Sequence, residues 1–178
     1  MLEPALGRAD IERYLLEAAQ RLTSSGTQHV VVMVGGSLLA MHGLRGATHD
    51  VDSIRRLDAE LVGAVAQVAE LHGLAPAWLN DRAAAFTPAT FEEATCTVLI
   101  DHPRLRVLGA PLEQVFVMKL FAVGNRANDY DDLVALWPRC DFDSPAAAVA
   151  LHDAACPHAE PDPFLVDFIG QIAARASI

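Results

Sequence analysis

The stretch that most constrains this chain runs from Val30 to Asp52. An apolar run of strand length, Val30 to Val34, ends in Gly35-Gly36-Ser37, and after a helix-like segment comes Asp50-Val51-Asp52. A strand that enters a helix through two glycines makes a tight turn with free backbone N–H groups, a ready seat for phosphate. Two aspartates at i and i+2 of a following strand project from one face. At roughly 6–7 Å they repel by about 2–3 kcal/mol at an effective dielectric near 20. A hard divalent cation between them turns that cost into a gain. The segment therefore predicts a phosphate seat beside a metal seat, the minimum for nucleotide chemistry.

The rest of the chain reads as a small mixed sheet surrounded by helices, an α/β (α+β) class, with an all-helical C-terminal third. Ile11, Leu15, Leu16, Ala19 and Leu22 give an amphipathic helix over 9–23. A short helix is expected over 37–42, a strand over 51–55, and a long helix from an Asp58 cap to about Leu71, stopped by His72-Gly73. Residues 75–86 give no clear pattern beyond Asn80-Asp81 as the cap of a short helix over 82–86. Thr95 to Asp101 and Arg104 to Leu108 read as strands. Pro111 opens a helix ending at Gly124-Asn125, Asn128 starts another to Trp137, and Ser144-Pro145 and Asp162-Pro163 start two more. The expected organisation is a core over 1–110 with a helical part over 111–178 packed on it.

At 178 residues, 52% hydrophobic, with mean hydropathy +0.25, the chain can bury a core, and no apolar run reaches the roughly 18–20 residues of a membrane span. No basic segment precedes an apolar one near Met1, so no signal peptide is expected. Three cysteines, Cys96, Cys140 and Cys156, form no zinc-ribbon spacing, and His152, Cys156 and His158 match no common zinc site. A cytoplasmic, reduced protein is expected. The net charge of −10 argues against general binding to duplex DNA. Eleven of the thirteen basic residues lie before residue 127, so a local basic cleft for a nucleotide or an RNA end remains compatible with the acidic tail.

The pattern Val34-Gly35-Gly36, thirteen residues, then Asp50-Val51-Asp52 resembles that of the nucleotidyltransferase superfamily, which has the fold of DNA polymerase β. The intervening Leu38 to Arg45 and Thr48 resemble one branch, the AbiEii-like toxins and related small bacterial nucleotidyltransferase-like proteins of unknown function. Downstream, Met118-Lys119-Leu120-Phe121-Ala122, Arg126 and Asp129-Tyr130-Asp131-Asp132-Leu133 resemble the Lys-x-x-Ala…Arg…Asp-x-x-Asp-Leu segment of that branch. Ser53 and His49 depart from it, standing where an apolar and a basic residue are usual.

On this reading Gly35 and Gly36 let the backbone approach phosphate, and Ser37 adds a hydroxyl or caps the helix. Arg45 reaches a phosphate or lies on the surface. Asp50 and Asp52 hold Mg²⁺ (or Mn²⁺) against an NTP. Asp101, ending the third predicted strand, is the candidate third carboxylate, on the reasoning that neighbouring strands bring their ends together. Lys119, the sole lysine, sits in an apolar run and must meet a carboxylate or a bound phosphate. Arg126 lies seven residues on. With Asn128 as N-cap, Asp131 has a helix-dipole explanation, and the resemblance moves Asp132 toward a polar-network or active-site role. Trp78 reads as core.

The resemblance implies transfer of an NMP from an NTP to an acceptor hydroxyl. It implies an RNA acceptor, such as a tRNA 3′ end, and a toxin role with an antitoxin protein as partner. The alternative is an inactive module of the same fold that binds a nucleotide or a partner protein.

Overall fold

Val31, Val32 and Met33 are wholly inaccessible to solvent, which makes their strand the centre of a sheet rather than an edge. In the computed structural model, which describes residues 4–23, 26–122 and 129–178, that strand is β1 (His29–Val34). Among the described residues it is flanked by β2 (Val51–Ser53), β3 (Leu79–Asn80), β4 (Thr97–His102) and β5 (Leu105–Gly109), in the order β3-β2-β1-β5-β4. β1 runs parallel to β5 and antiparallel to β2. β3 is parallel to β2, and β4 antiparallel to β5. The sheet is thus mixed, as expected.

The chain divides into two units, residues 1–86 with 95–110, and residues 87–94 with 111–178. The first carries the sheet with α1 (Arg8–Arg21), α2 (Gly35–Met41) and α3 (Ala59–His72). Ile11, Leu15 and Ala18 of α1, and Leu61 and Val68 of α3, are fully buried, each large side chain contributing about 1.5–3 kcal/mol. The Asp58 carboxylate caps α3, accepting the N–H groups of Glu60 and Leu61 at 3.0 Å each, and Gly73 ends it at φ 63°. Both ends stand where the sequence placed them. Trp78 is core, its indole N–H donating to the Val65 carbonyl at 3.1 Å.

The second unit is helical: α4 (Leu112–Ala122), α5 (Asp129–Leu136), α6 (Pro145–Ala155) and α7 (Leu165–Ala176). Phe116, Trp137 and Phe142 form an aromatic cluster with ring centroids 5.4–5.7 Å apart. The Ala89 N–H donates to the Ala155 carbonyl, and the Thr90 hydroxyl to Gln114, so residues 87–94 belong with these helices. Ser144 caps α6 through the Ala147 N–H at 3.2 Å. α7 begins later than expected. Asp162 uses its carboxylate for the Phe164 N–H and its carbonyl for the Leu165 N–H, making a turn before the first helical residue. The expected caps at Gly124-Asn125 and Asn128 lie outside the described residues.

Candidate active site

The polypeptide leaves β1 at Val34 in extended conformation and turns into α2 through Gly35, whose φ is +65°. That angle disfavours any side chain. A second constraint acts at the same atom: a Cβ on Gly35 would lie 3.2 Å from Oδ2 of Asp52. At Gly36 a Cβ would lie 3.0 Å from the Thr48 hydroxyl oxygen and 3.1 Å from Nη1 of Arg45. The two glycines thus keep a bare backbone between an acidic oxygen and a guanidinium. Arg45 is held there by its Nε, which donates to the Ala47 carbonyl at 2.9 Å. Thr48 is fixed by a bridge to Leu6, with N–H···O distances of 2.6 and 3.0 Å.

β2 supplies the acids. Val51 and Ser53 are fully buried, while Asp50, which precedes the strand, and Asp52 are half-buried on the other face. Asp52 pairs with Val34, the residue before the glycine turn, and so carries its carboxylate to that turn. Ser53 departs from the usual apolar residue for a structural reason. Its hydroxyl oxygen accepts the Val32 N–H at 3.2 Å and the Arg55 N–H at 3.1 Å, and its proton goes to the Arg55 carbonyl at 2.8 Å. His49 is exposed.

Two expectations are corrected. Ser37 is 1% exposed and donates its hydroxyl to the Val34 carbonyl at 2.9 Å, so it closes the first helical turn rather than facing a ligand. Asp101 does not join Asp50 and Asp52. It pairs with Arg106, which pairs with Val30, at the start of β1, whereas Asp52 lies beside Val34, at its end. Four residues along the strand and three strand spacings across the sheet put Asp101 roughly 20 Å from Asp52. Neighbouring strands bring like ends together only when parallel, and β4 runs against β5. Asp101 is exposed and accepts Nε2 of Gln28 at 3.2 Å.

One neighbour of Asp52 was read from the sequence only as a helix cap, and it does accept the Arg82 N–H that begins that short helix. This is Asn80, on β3, which stands beside Asp52 in the ladder. A two-residue strand is too short to show a period. Among the described residues no group of three or more His, Cys, Asp or Glu could hold a metal ion.

In the second unit Lys119 of α4 meets two carboxylates of α5, Asp132 at 2.7 Å and Asp129 at 3.2 Å. All three side chains are nearly buried, at 12%, 7% and 7% exposure for Lys119, Asp129 and Asp132. Asp131 is exposed on the first turn of α5. Oδ2 of Asp129 is buried without a hydrogen-bond partner among the described residues. Arg126 lies outside the described residues. Cys140 offers no nucleophile near neutral pH, since burial and then the Glu113 carboxylate push its thiol up to about 12.

Residues 13–157 match the model of a family described as nucleotidyltransferase of unknown function (DUF6036). The chain belongs to that family. No curated protein and no solved structure matches it. The match covers both the glycine turn with its DVD strand and the Lys119 segment. Among the described residues no helix is long and apolar enough to cross a membrane.

Proposed function

We propose that this nucleotidyltransferase-family chain moves an NMP from an NTP to an acceptor hydroxyl, with the triphosphate seated on Gly35 and Gly36. One observation carries this reading. The bare backbone of the two glycines has a carboxylate oxygen within 3.2 Å of one missing Cβ and a guanidinium nitrogen within 3.1 Å of the next. A seat for a cation and a seat for an anion thus share one turn. Asp50 and Asp52 suit Mg²⁺ or Mn²⁺, because Mg²⁺ takes one or two carboxylates and completes its shell with phosphate and water. The bound cation supplies charge neutralisation at the phosphates.

The chain's own part is positioning. Arg45 holds a phosphate oxygen over Gly36, and the free N–H groups that begin α2 hold another. The acceptor oxygen forms its bond to the α-phosphorus as the bond to the bridging oxygen breaks. Pyrophosphate leaves with the electron pair, and the acceptor's proton passes to water. An RNA end, with tRNA first, is the proposed acceptor, and an AbiEii-like toxin with an antitoxin partner the proposed setting. Both rest on the resemblance of residues 35–52 and 118–133.

The test is label transfer from each of the four α-³²P NTPs, with Mg²⁺, into total RNA and total protein. Asp52→Ala should reduce transfer by about 10³-fold or more with the melting temperature held, since it removes charge stabilisation at the reacting phosphate. Near wild-type turnover in that variant would remove the assignment. The distance of Asp101 from the turn supports a second reading, a module that binds nucleotide without transfer. It is supported if NTP with Mg²⁺ raises the melting temperature and no acceptor becomes labelled.

A further inference from the structure

The partner of Asp52 in the ladder is not an acid. β2 and β3 run parallel, with Val51 facing Leu79 and Asp52 facing Asn80. Facing residues of adjacent strands project from the same side, about 4.8 Å apart. Val51 and Leu79 both enter the core, at 0% and 2% exposure, so Asp52 and Asn80 share the opposite side. Asn80 is 7% exposed. Its Oδ1 accepts the Arg82 N–H at 3.1 Å, and its Nδ2 points to the Ala77 carbonyl at 3.5 Å. An amide oxygen has two lone pairs, so one remains after the Arg82 bond.

A pair of divalent cations about 3.5–4 Å apart, as in two-metal sites, repel about four times as strongly as unit charges and need anionic ligands shared between them. Here Asp50 and Asp52 are the acids at the turn, and the residue beside Asp52 is neutral. We infer that this site takes one divalent cation with its nucleotide, and that Asn80 sets that number by placing an uncharged oxygen where a carboxylate would admit a second. The inference rests on the proposed cation seat at Asp50 and Asp52, and its failure is separable from the failure of that seat.

The experiment is a Mn²⁺ titration of the full chain with a non-hydrolysable α,β-methylene NTP, following free Mn²⁺ by electron paramagnetic resonance and subtracting a protein-free titration. The wild-type chain should bind one Mn²⁺, and Asp52→Ala should abolish that binding. Asn80→Asp is nearly isosteric and still accepts the Arg82 N–H, but it sets a buried carboxylate beside Asp52 and the Ala77 carbonyl, so it should melt below the wild type without Mn²⁺ and recover when Mn²⁺ is added. It should also bind a second Mn²⁺, and tighter binding of a single Mn²⁺ with no second equivalent would overturn the inference. Two equivalents in the wild-type chain would overturn the inference whatever Asn80→Asp does to folding. An unchanged titration in folded Asn80→Asp, with Asp52-dependent binding intact, would overturn it and leave the cation seat standing. Absence of any Asp52-dependent binding would overturn both.

Discussion

Two clusters of opposite charges lie in this chain, and they are built by opposite rules. At the glycine turn of the first unit, Asp52 and Arg45 approach a backbone stripped of Cβ atoms, and Asp50, Asp52, Gly35 and Gly36 are all half-exposed. In the second unit, Lys119 is closed between Asp129 and Asp132, all nearly buried. Glycine lets both charged groups approach the bare backbone. Side-chain closure spends charge on holding two helices together, because a buried ammonium without partners is too costly to keep. Among the described residues, Oδ2 of Asp129 is the buried atom of this cluster without a hydrogen-bond partner.

The sharpest way to break the contrast is to remove the closed cation. Lys119→Met should destabilise the chain by about 3–5 kcal/mol, the cost of leaving buried carboxylates uncompensated. Asp129→Asn keeps an acceptor for Lys119 and replaces the carboxylate oxygen that has no hydrogen-bond partner among the described residues, so it should change stability by less than about 1 kcal/mol. Urea denaturation of the three proteins reads both values. Equal losses in the two variants would mean that the Asp129 carboxylate is as necessary to the cluster as the Lys119 ammonium.

The open cluster should respond in the other currency, ligand affinity. Gly36→Ala meets the Arg45 guanidinium, which can swing aside, and the buried Thr48 hydroxyl, which cannot. Its NTP affinity should fall about tenfold through the displaced arginine, with roughly 1–3 kcal/mol lost in stability against the unyielding Thr48. Gly35→Ala is also strained at φ +65°, which adds roughly 1–2 kcal/mol of destabilisation. Nucleotide-binding calorimetry beside thermal melts separates the two. A Gly36→Ala chain that binds NTP normally would leave the turn a structural feature and weaken the phosphate seat.

The open cluster was also the more legible one. Gly35, Gly36, Asp50 and Asp52 are eighteen residues end to end, and the geometry that unites them is local: one turn and one period-2 strand. The α3 boundaries at Asp58 and Gly73 were legible for the same reason. Asp101 was misplaced because its position depends on strand order and direction. The β4–β5 reversal at Pro103-Arg104 sends it to the far end of β1, and no local pattern shows that β5 then lies beside β1. Asn80 was legible as the cap of the short helix over 82–86, where it accepts the Arg82 N–H, but its place beside Asp52 was not, because β3 is two residues long. Of the two uses open to the Ser37 hydroxyl by sequence, a ligand or its own helix start, burial and its bond to the Val34 carbonyl decide for the second. Lys119 was expected to need a carboxylate or phosphate. Which acids met it depended on the packing of α4 against α5.

A third charged group, at the start of α3, tests whether half-exposed charge in the first unit must serve a ligand. Burial pushes the Asp58 carboxyl up, but the Leu61 N–H, His29 and the Glu60 N–H outweigh it and hold it below its ordinary 3.8. The Thr23 hydroxyl and N–H likewise hold Glu60 below its ordinary 4.5, and Nδ1 of His29 lies 2.6 Å from Asp58. A carboxyl depressed in the folded state adds stability that is fully present above its unfolded value and lost as pH falls through its folded value. The wild-type chain should therefore lose stability below about pH 4, starting at this helix end. Asp58→Asn keeps the cap without the titrating group and should flatten that acid limb. Asp58→Ala loses the cap and should lower stability by about 0.5–2 kcal/mol near neutral pH. Both should leave NTP affinity at neutral pH unchanged. Chemical denaturation from pH 3 to 7 with a nucleotide titration at pH 7 checks this. A loss of NTP binding in either variant would mean that the charged groups of this unit act together, and that exposure alone does not separate ligand-binding charge from structural charge.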